Sequence, residues 1–209
     1  MNIAVDCDGV LADFNRAYIP LVQQVTGQDM FPKDWEETLY KTYHTVWDYD
    51  KEAGYTREQI HKVWEVIKAN DKFWLNLKPM PSAREDLKAL DDLAKQGHNI
   101  YFLTNRMGAK AKYQTEKWLF KYAFDFPTVI LTGDKTPLIR LLSIDFFIDD
   151  KPETMIELYK VASEERWLQD KHFYLKLAPY NEGVYKQRIL VAKNVSDALD
   201  KAGLIPGGE

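Results

Sequence analysis

A single cysteine, Cys7, rules out any disulfide within the chain, which suits a reducing compartment. No basic stretch leads into an apolar one as an export signal would, and no apolar run is long enough to span a bilayer. The expected location is therefore the cytoplasm, with no membrane partner. An excess of either charge is missing too. With 28 basic against 32 acidic residues the formal net charge is -4, so nothing draws the chain as a whole to a nucleic-acid polymer or an anionic lipid. Any phosphate must be recognised locally, which favours a small-molecule substrate. Disorder is excluded as well. Hydrophobic residues make up 45% of the 209, enough for one sizeable core with a smaller appended module, and compatible with a homodimer as with a monomer.

What the sequence does have gathers first at Asp6-Cys7-Asp8-Gly9-Val10. Ile3-Ala4-Val5 reads as a buried strand that ends on two carboxylates, and with Gly9 supplying a turn, Asp6 and Asp8 can project together from that end. Close carboxylates cannot both stay ionised cheaply. A shared proton or a shared cation resolves this, and both solutions serve catalysis. The alternative is a solvated loop, since Asp and Gly are ordinary turn formers. Cys7 lies between two acids that would raise its pKa, with no His near it in sequence, so it is read as a core residue rather than a nucleophile.

Leu11, Phe14, Ala17, Tyr18, Leu21, Val22 and Val25 then recur at helical spacing, and Gly27 ends the helix despite Pro20. Phe14 and Tyr18, four apart, share a face just beyond the carboxylate turn. They either look into a site or fill the core. Residues 31–74 hold ten aromatics in 44 positions, and helical runs near 36–46 and 57–69 predict a small helical module inserted after the first strand. Its rings either pack on the main core or offer flat faces to a planar group such as a nucleobase. Phe73 and Trp74, where the chain returns, border the expected cleft as Phe14 does.

Lys78-Pro79-Met80-Pro81 closes the insertion, and Ser82 with Glu85 has the pattern of a capping box opening a helix that Gly97 ends. Asn99 to Leu103 is a strand running into Thr104-Asn105-Arg106, a hydroxyl, an amide and a guanidinium that suit phosphate or other polar groups. After a helix to about Tyr122 comes the strand Val129 to Leu131. In Gly133-Asp134-Lys135-Thr136-Pro137, Thr136 caps a helix that Pro137 opens, with Lys135 in the loop before it. Ile144 to Ile148 forms the next strand, with Asp149-Asp150 at its end and Pro152 opening a helix. Strand, polar end and helix in repetition predict a doubly wound parallel α/β sheet, whose ligands bind outside the carboxyl ends of the strands. Each polar end alone has a plain structural explanation as a cap, a surface charge or a turn. Their recurrence at four strand ends points to one site. Phe173 to Leu177 and Ile189 to Ala192 read as short strands and Ser196 to Ala202 as a last helix, with no chemistry expected beyond residue 165.

The order of these motifs, Asp6-x-Asp8-Gly9-Val10, Thr104, Lys135 and Asp149-Asp150, resembles the haloacid dehalogenase superfamily of phosphotransferases and its Rossmann-like fold. More narrowly, DCDGVLADF from Asp6, FWLNLKPMP from Phe73, Gly133-Asp134-Lys135-Thr136, and IDDKP from Ile148 resemble the 5'(3')-deoxyribonucleotidase family. Where that family commonly has Thr-Ser, this chain has Thr104-Asn105-Arg106, a departure that bears on substrate preference. The resemblance implies an α/β core of residues 1–14 and 78–209, a helical cap of 15–77, and a Mg²⁺-dependent phosphatase acting on nucleoside monophosphates, deoxyribonucleotides foremost. Asp6 would be the nucleophile that forms an aspartyl-phosphate, and Asp8 the acid and base. Asp6, the Asp8 carbonyl and Asp149, with Asp150 as a further candidate, would hold the metal. Thr104 and Asn105 would hold phosphoryl oxygens, Lys135 would balance the nucleophile, and Arg106 would offer the phosphate a second cation. Phe14, Tyr18, Phe73 and Trp74 would meet the base. A phosphatase of the same superfamily acting on a sugar phosphate is the main alternative. A non-enzymatic phospho-acceptor module of the receiver type also uses Asp, Thr and Lys, but in the opposite chain order and without a helical insertion.

Overall fold

Ile3, Ala4 and Val5 are wholly buried because strand β1 (Asn2–Val5) lies inside a six-stranded sheet. A computed structural model describes residues 1–35, 49–165, 170–181 and 189–206. Its strands are β1, then, beyond the short β2 (Ala12–Asp13) and β3 (Lys78–Pro79), β4 (Asn99–Thr104), β5 (Thr128–Leu131), β6 (Phe146–Asp149), β7 (His172–Lys176) and β8 (Leu190–Ala192). The sheet order is β5-β4-β1-β6-β7-β8, and each neighbouring pair is parallel. Both faces are covered, which is why these strands read as continuous apolar runs rather than alternating ones. Ile3, Val5, Phe102, Phe146, Ile148 and Tyr174 enter one core, while Ala4, Leu103, Phe147, Phe173 and Leu175 enter the other. Register sets the ends level: Val5 lies opposite Phe102 on one side and Ile148 on the other.

Helix α1 (Asn15–Thr26) follows β2 and stops at Gly27, whose φ of 68° is left-handed. The segment beyond it carries α2 (Tyr49–Glu52), α3 (Arg57–Ala69) and a 3-10 turn at Trp74–Asn76, and β3 then brings the chain back antiparallel to β2. The expected helical run 36–46 lies outside the described residues. α4 (Ala83–Lys95), α5 (Ala111–Lys121), α6 (Thr136–Leu141), α7 (Pro152–Glu165) and α8 (Val195–Lys201) complete the layers.

Three local expectations are corrected. The first helix does not begin near Leu11, because Ala12 and Asp13 pair with β3. Ser82 and Glu85 form no capping box: the Ser82 hydroxyl donates to Asp86 at 2.7 Å, and buried Asp86 also accepts from the Ser196 amide and hydroxyl, tying α4 to α8. The box that does form is at α3, where Thr56 and Gln59 satisfy each other's backbone N–H groups. Thr136 does not precede its helix as a cap but is its first residue, with Lys135 at the cap position and Asp134 accepting the Thr136 N–H at 3.2 Å.

Candidate active site

The carboxyl ends of β1, β4 and β6 lie side by side, so Asp6, Thr104 and Asp149 meet although the sequence separates them widely. Asp6 extends the pairing, donating its N–H to Ile148 O at 3.0 Å, and the chain then folds into a tight turn in which Leu11 and Ala12 both donate to Cys7 O at 2.8 Å. Gly9 has a φ of 79° here, and a Cβ on it would collide with the Asp150 carboxylate. Only glycine permits that approach. Cys7 is buried with its thiol pushed up to about 12 by burial, in keeping with a core residue.

Lys135 bridges the two strands, its Nζ 2.6 Å from Asp6 Oδ1 and 2.6 Å from Asp149 Oδ2. Burial opposes its charge, yet Asp149 and Asp6 hold its pKa above the usual lysine value. Asp149 Oδ1 accepts the Lys151 N–H at 2.8 Å. Asp6, Asp149 and Asp150 are all buried and place carboxylate oxygens within 4.8 Å of one another. Burial, joined by the neighbouring acids and opposed by Lys135, raises Asp6 well above the ordinary carboxylate range, and burial with Asp149 beside it pushes Asp150 to about 7. Lys135 pairs with two of these three carboxylates, and buried Lys176 is the other ammonium whose charge bears on Asp150. Moreover Asp150 Oδ1 is buried with no hydrogen-bond partner among the described residues. Unmatched buried charge and an orphaned oxygen both fit a hard cation with oxygen ligands.

Asp8 turns toward β4. Arg106 donates to it from Nε at 3.2 and 3.0 Å and from Nη2 at 2.7 Å, while the Thr104 hydroxyl is 3.5 Å away. Arg106 is 2% exposed and does not reach the cleft wall, so the expected second cation for phosphate lies behind Asp8 instead.

The cleft has a volume of about 280 Å³. Its polar side comprises Asp6, Asp8, Thr104, Asn105, Lys135, Asp149, Asp150, Lys151 and Thr154, and its aromatic side Phe14, Trp64 and Trp74 beside Met107. Phe14 lies nearly parallel to both tryptophans, 6.0 Å from Trp64 and 5.9 Å from Trp74. Of the aromatics singled out in the sequence, Phe14 and Trp74 thus line the cleft. Tyr18 and Phe73 sit behind them: Tyr18 stacks on Phe14 at 5.0 Å and donates its hydroxyl to Asp50 at 2.8 Å, and Phe73 packs edge-on to Trp74.

A family model described as 5' nucleotidase, deoxy (pyrimidine), cytosolic type C protein matches residues 1–192. The chain belongs to this nucleotidase family. It is accordingly a phosphoric monoester hydrolase with the haloacid dehalogenase fold that its motifs resemble. Among relatives, the human mitochondrial 5'(3')-deoxyribonucleotidase is 28% identical over 73% of this chain and 63% of its own length. A nucleotidase of Clostridium acetobutylicum is 26% identical over 89% of this chain and 88% of its own. A HAD-hydrolase of Bacillus subtilis, solved bound to magnesium, shares the fold with a TM-score of 0.55 at 13% identity, covering 97% of this chain and 98% of that one.

In this nucleotidase the sequence also concealed several groups at the site. Contrary to the expectation of no chemistry past residue 165, the Tyr180 hydroxyl donates to Asp150 Oδ2, and Asn181 Nδ2 donates to Asp150 O at 2.9 Å and to Lys176 O at 2.8 Å. These two follow β7 in a loop with no periodicity or motif to mark them. Trp64 carries a signal in retrospect: Ile60, Val63, Trp64 and Ile67 make one face of α3, which contacts α1.

Proposed function

We propose that this chain is a Mg²⁺-dependent phosphatase of nucleoside monophosphates, deoxyribonucleotides foremost, working through an aspartyl-phosphate on Asp6 in the cytoplasm. Residues 1–14 and 78–209 supply the reacting groups, and residues 15–77 act as the cap that selects the substrate. One observation carries this reading: the buried Asp6–Lys135–Asp149 group and the rings of Phe14, Trp64 and Trp74 face the same cleft. A phosphate at the strand ends then leaves its ester group beside aromatic faces. Stacking of a base there is worth roughly 1–3 kcal/mol.

Asp6 attacks phosphorus, the bond to the ester oxygen breaks, and Asp8 gives that oxygen its proton. Water then attacks the aspartyl-phosphate, Asp8 takes the water proton, and Asp6 is released with inorganic phosphate. Bound by Asp6, Asp149 and Asp150, with the Asp8 carbonyl as a further ligand, Mg²⁺ would supply the positive charge that a phosphate dianion needs among carboxylates. Thr104 and Asn105 donate to the phosphoryl oxygens, and Lys135 keeps Asp6 aimed and offsets its charge.

The test is phosphate release with Mg²⁺ over a panel of nucleoside monophosphates and sugar phosphates. Nucleotides should lead, and Asp6→Asn, nearly isosteric, should be folded and inactive. A clear preference for sugar phosphates would overturn the substrate, and near wild-type turnover by Asp6→Asn would overturn the covalent mechanism.

A further inference from the structure

Arg106 is a buried cation that the reaction above leaves without a task. An arginine does not lose its proton, so its burial is tolerable only where partners compensate the charge. The partners are specific. Nε and Nη2 fork onto both oxygens of Asp8, and Nη1 donates to the Thr115 hydroxyl at 3.1 Å. That hydroxyl is turned by its own donation to Ala111 O at 2.8 Å. The guanidinium carbon lies 5.2 Å from the Trp74 ring centre and 5.9 Å from that of Trp118. Both rings are pinned in turn, Trp74 Nε1 to Met107 O at 2.9 Å and Trp118 Nε1 to Leu77 O at 2.8 Å. Thr115, Trp74 and Trp118 are thus each fixed by another bond, and on the remaining side Asp8 faces the cleft.

We propose that Arg106 is a positioning residue for Asp8, holding that carboxylate in the plane from which it exchanges protons, and that it does not bind phosphate. The proposal rests on Asp8 being the acid and base of the reaction. A fork that grips both oxygens fixes rotation about the last side-chain bond, which a point charge does not. Arg106 therefore acts on the proton-transfer steps alone, and through Asp8 alone.

Acetyl phosphate separates these steps. Its transfer forms the bond from Asp6 to phosphorus and breaks the bond to acetate, which leaves with the electron pair and needs no proton. Hydrolysis of the phosphoenzyme still needs Asp8 to take a proton from water. The experiment is rapid-quench kinetics with acetyl phosphate and Mg²⁺ on the full chain, comparing wild type, Asp8→Asn, Arg106→Lys, Arg106→Met and the double variant Asp8→Asn/Arg106→Met. Phosphoenzyme should form within about threefold of the wild-type rate in Arg106→Lys and Arg106→Met. Its hydrolysis should slow at least about tenfold in Arg106→Lys, which keeps the charge but not the fork, and the double variant should be no slower than Asp8→Asn. Inhibition by inorganic phosphate should stay within about twofold in Arg106→Lys. The proposal is overturned if formation slows as much as hydrolysis, if phosphate inhibition weakens tenfold, if the two substitutions add, or if hydrolysis is unchanged. If Arg106→Met does not fold, Arg106→Lys alone and combined with Asp8→Asn makes the same comparison. A wild type that never becomes phosphorylated would instead refute the aspartyl-phosphate reading, a result distinct from any of these.

Discussion

Gly9 decides how close the first turn can come to the third acid of the cluster. Its left-handed φ of 79° and the space that a Cβ would take from Asp150 act together. Gly9→Ala should cost about 1–2 kcal/mol of stability for the strained backbone. Because the Asp150 side chain must swing aside, kcat should fall at least about tenfold and the Mg²⁺ needed for half activity should rise. Urea unfolding and a Mg²⁺ titration measure the two parts separately, and an unchanged Mg²⁺ requirement would mean that Asp150 is not moved. At this scale the sequence was legible where a motif put the acids at strand ends, as with Asp6 and Asp149. It was illegible for Tyr180 and Asn181, because loop residues carry no period and their partner Asp150 lies some thirty positions back. Arg106 was seen, but its partner was not: a guanidinium after a strand suits phosphate and carboxylate equally, and its place beside Asp8, Trp74 and Trp118 is a matter of packing that the sequence does not carry.

Among the elements, α3 reaches the cleft through Trp64, whereas α1 reaches it through Phe14 just before its first turn. The two rings differ as probes. Phe14 is only 9% exposed and touches Tyr18, Trp64, Phe73 and Trp74, so Phe14→Ala should lose both stability and activity. Trp64 is less buried, and Trp64→Ala should lower kcat/KM for nucleoside monophosphates at least about tenfold while changing acetyl phosphate hydrolysis much less. Steady-state kinetics on the two substrates makes the comparison, and equal losses would mean that Trp64 supports the reacting groups rather than the base. The central strands were readable because burial on both faces leaves an uninterrupted apolar run, as in Phe146 to Ile148. Element starts were less so. A Ser followed three residues later by Glu promises a cap, but Ser82 found a stronger partner in Asp86, which also serves the far end of the chain.

For the molecule as a whole, the cost of gathering three buried carboxylates means that a metal bound among them, as proposed, would add to stability as well as to catalysis. Thermal unfolding should shift upward with Mg²⁺ and back with EDTA, by several degrees at saturating metal, and Asp149→Asn should remove most of that shift. A shift that survives the substitution would place the metal elsewhere. The doubly wound order was legible as a whole because strands that alternate with helices run parallel, which brings their carboxyl ends to one edge of the sheet.

The two-stranded ribbon of β2 and β3 also has a consequence for how the chain reaches this state. Ile3 must find Ile100 across roughly a hundred residues, a closure whose entropy grows with the logarithm of the loop. Once Ala12 has met Pro79 and Asp13 has met Lys78, the path between β1 and β4 shortens to roughly thirty residues, which lowers that cost by about 1 kcal/mol. A chain that formed this ribbon first would therefore meet a lower entropic cost in bringing β1 to β4, the ribbon then serving as a clasp in time as well as in space.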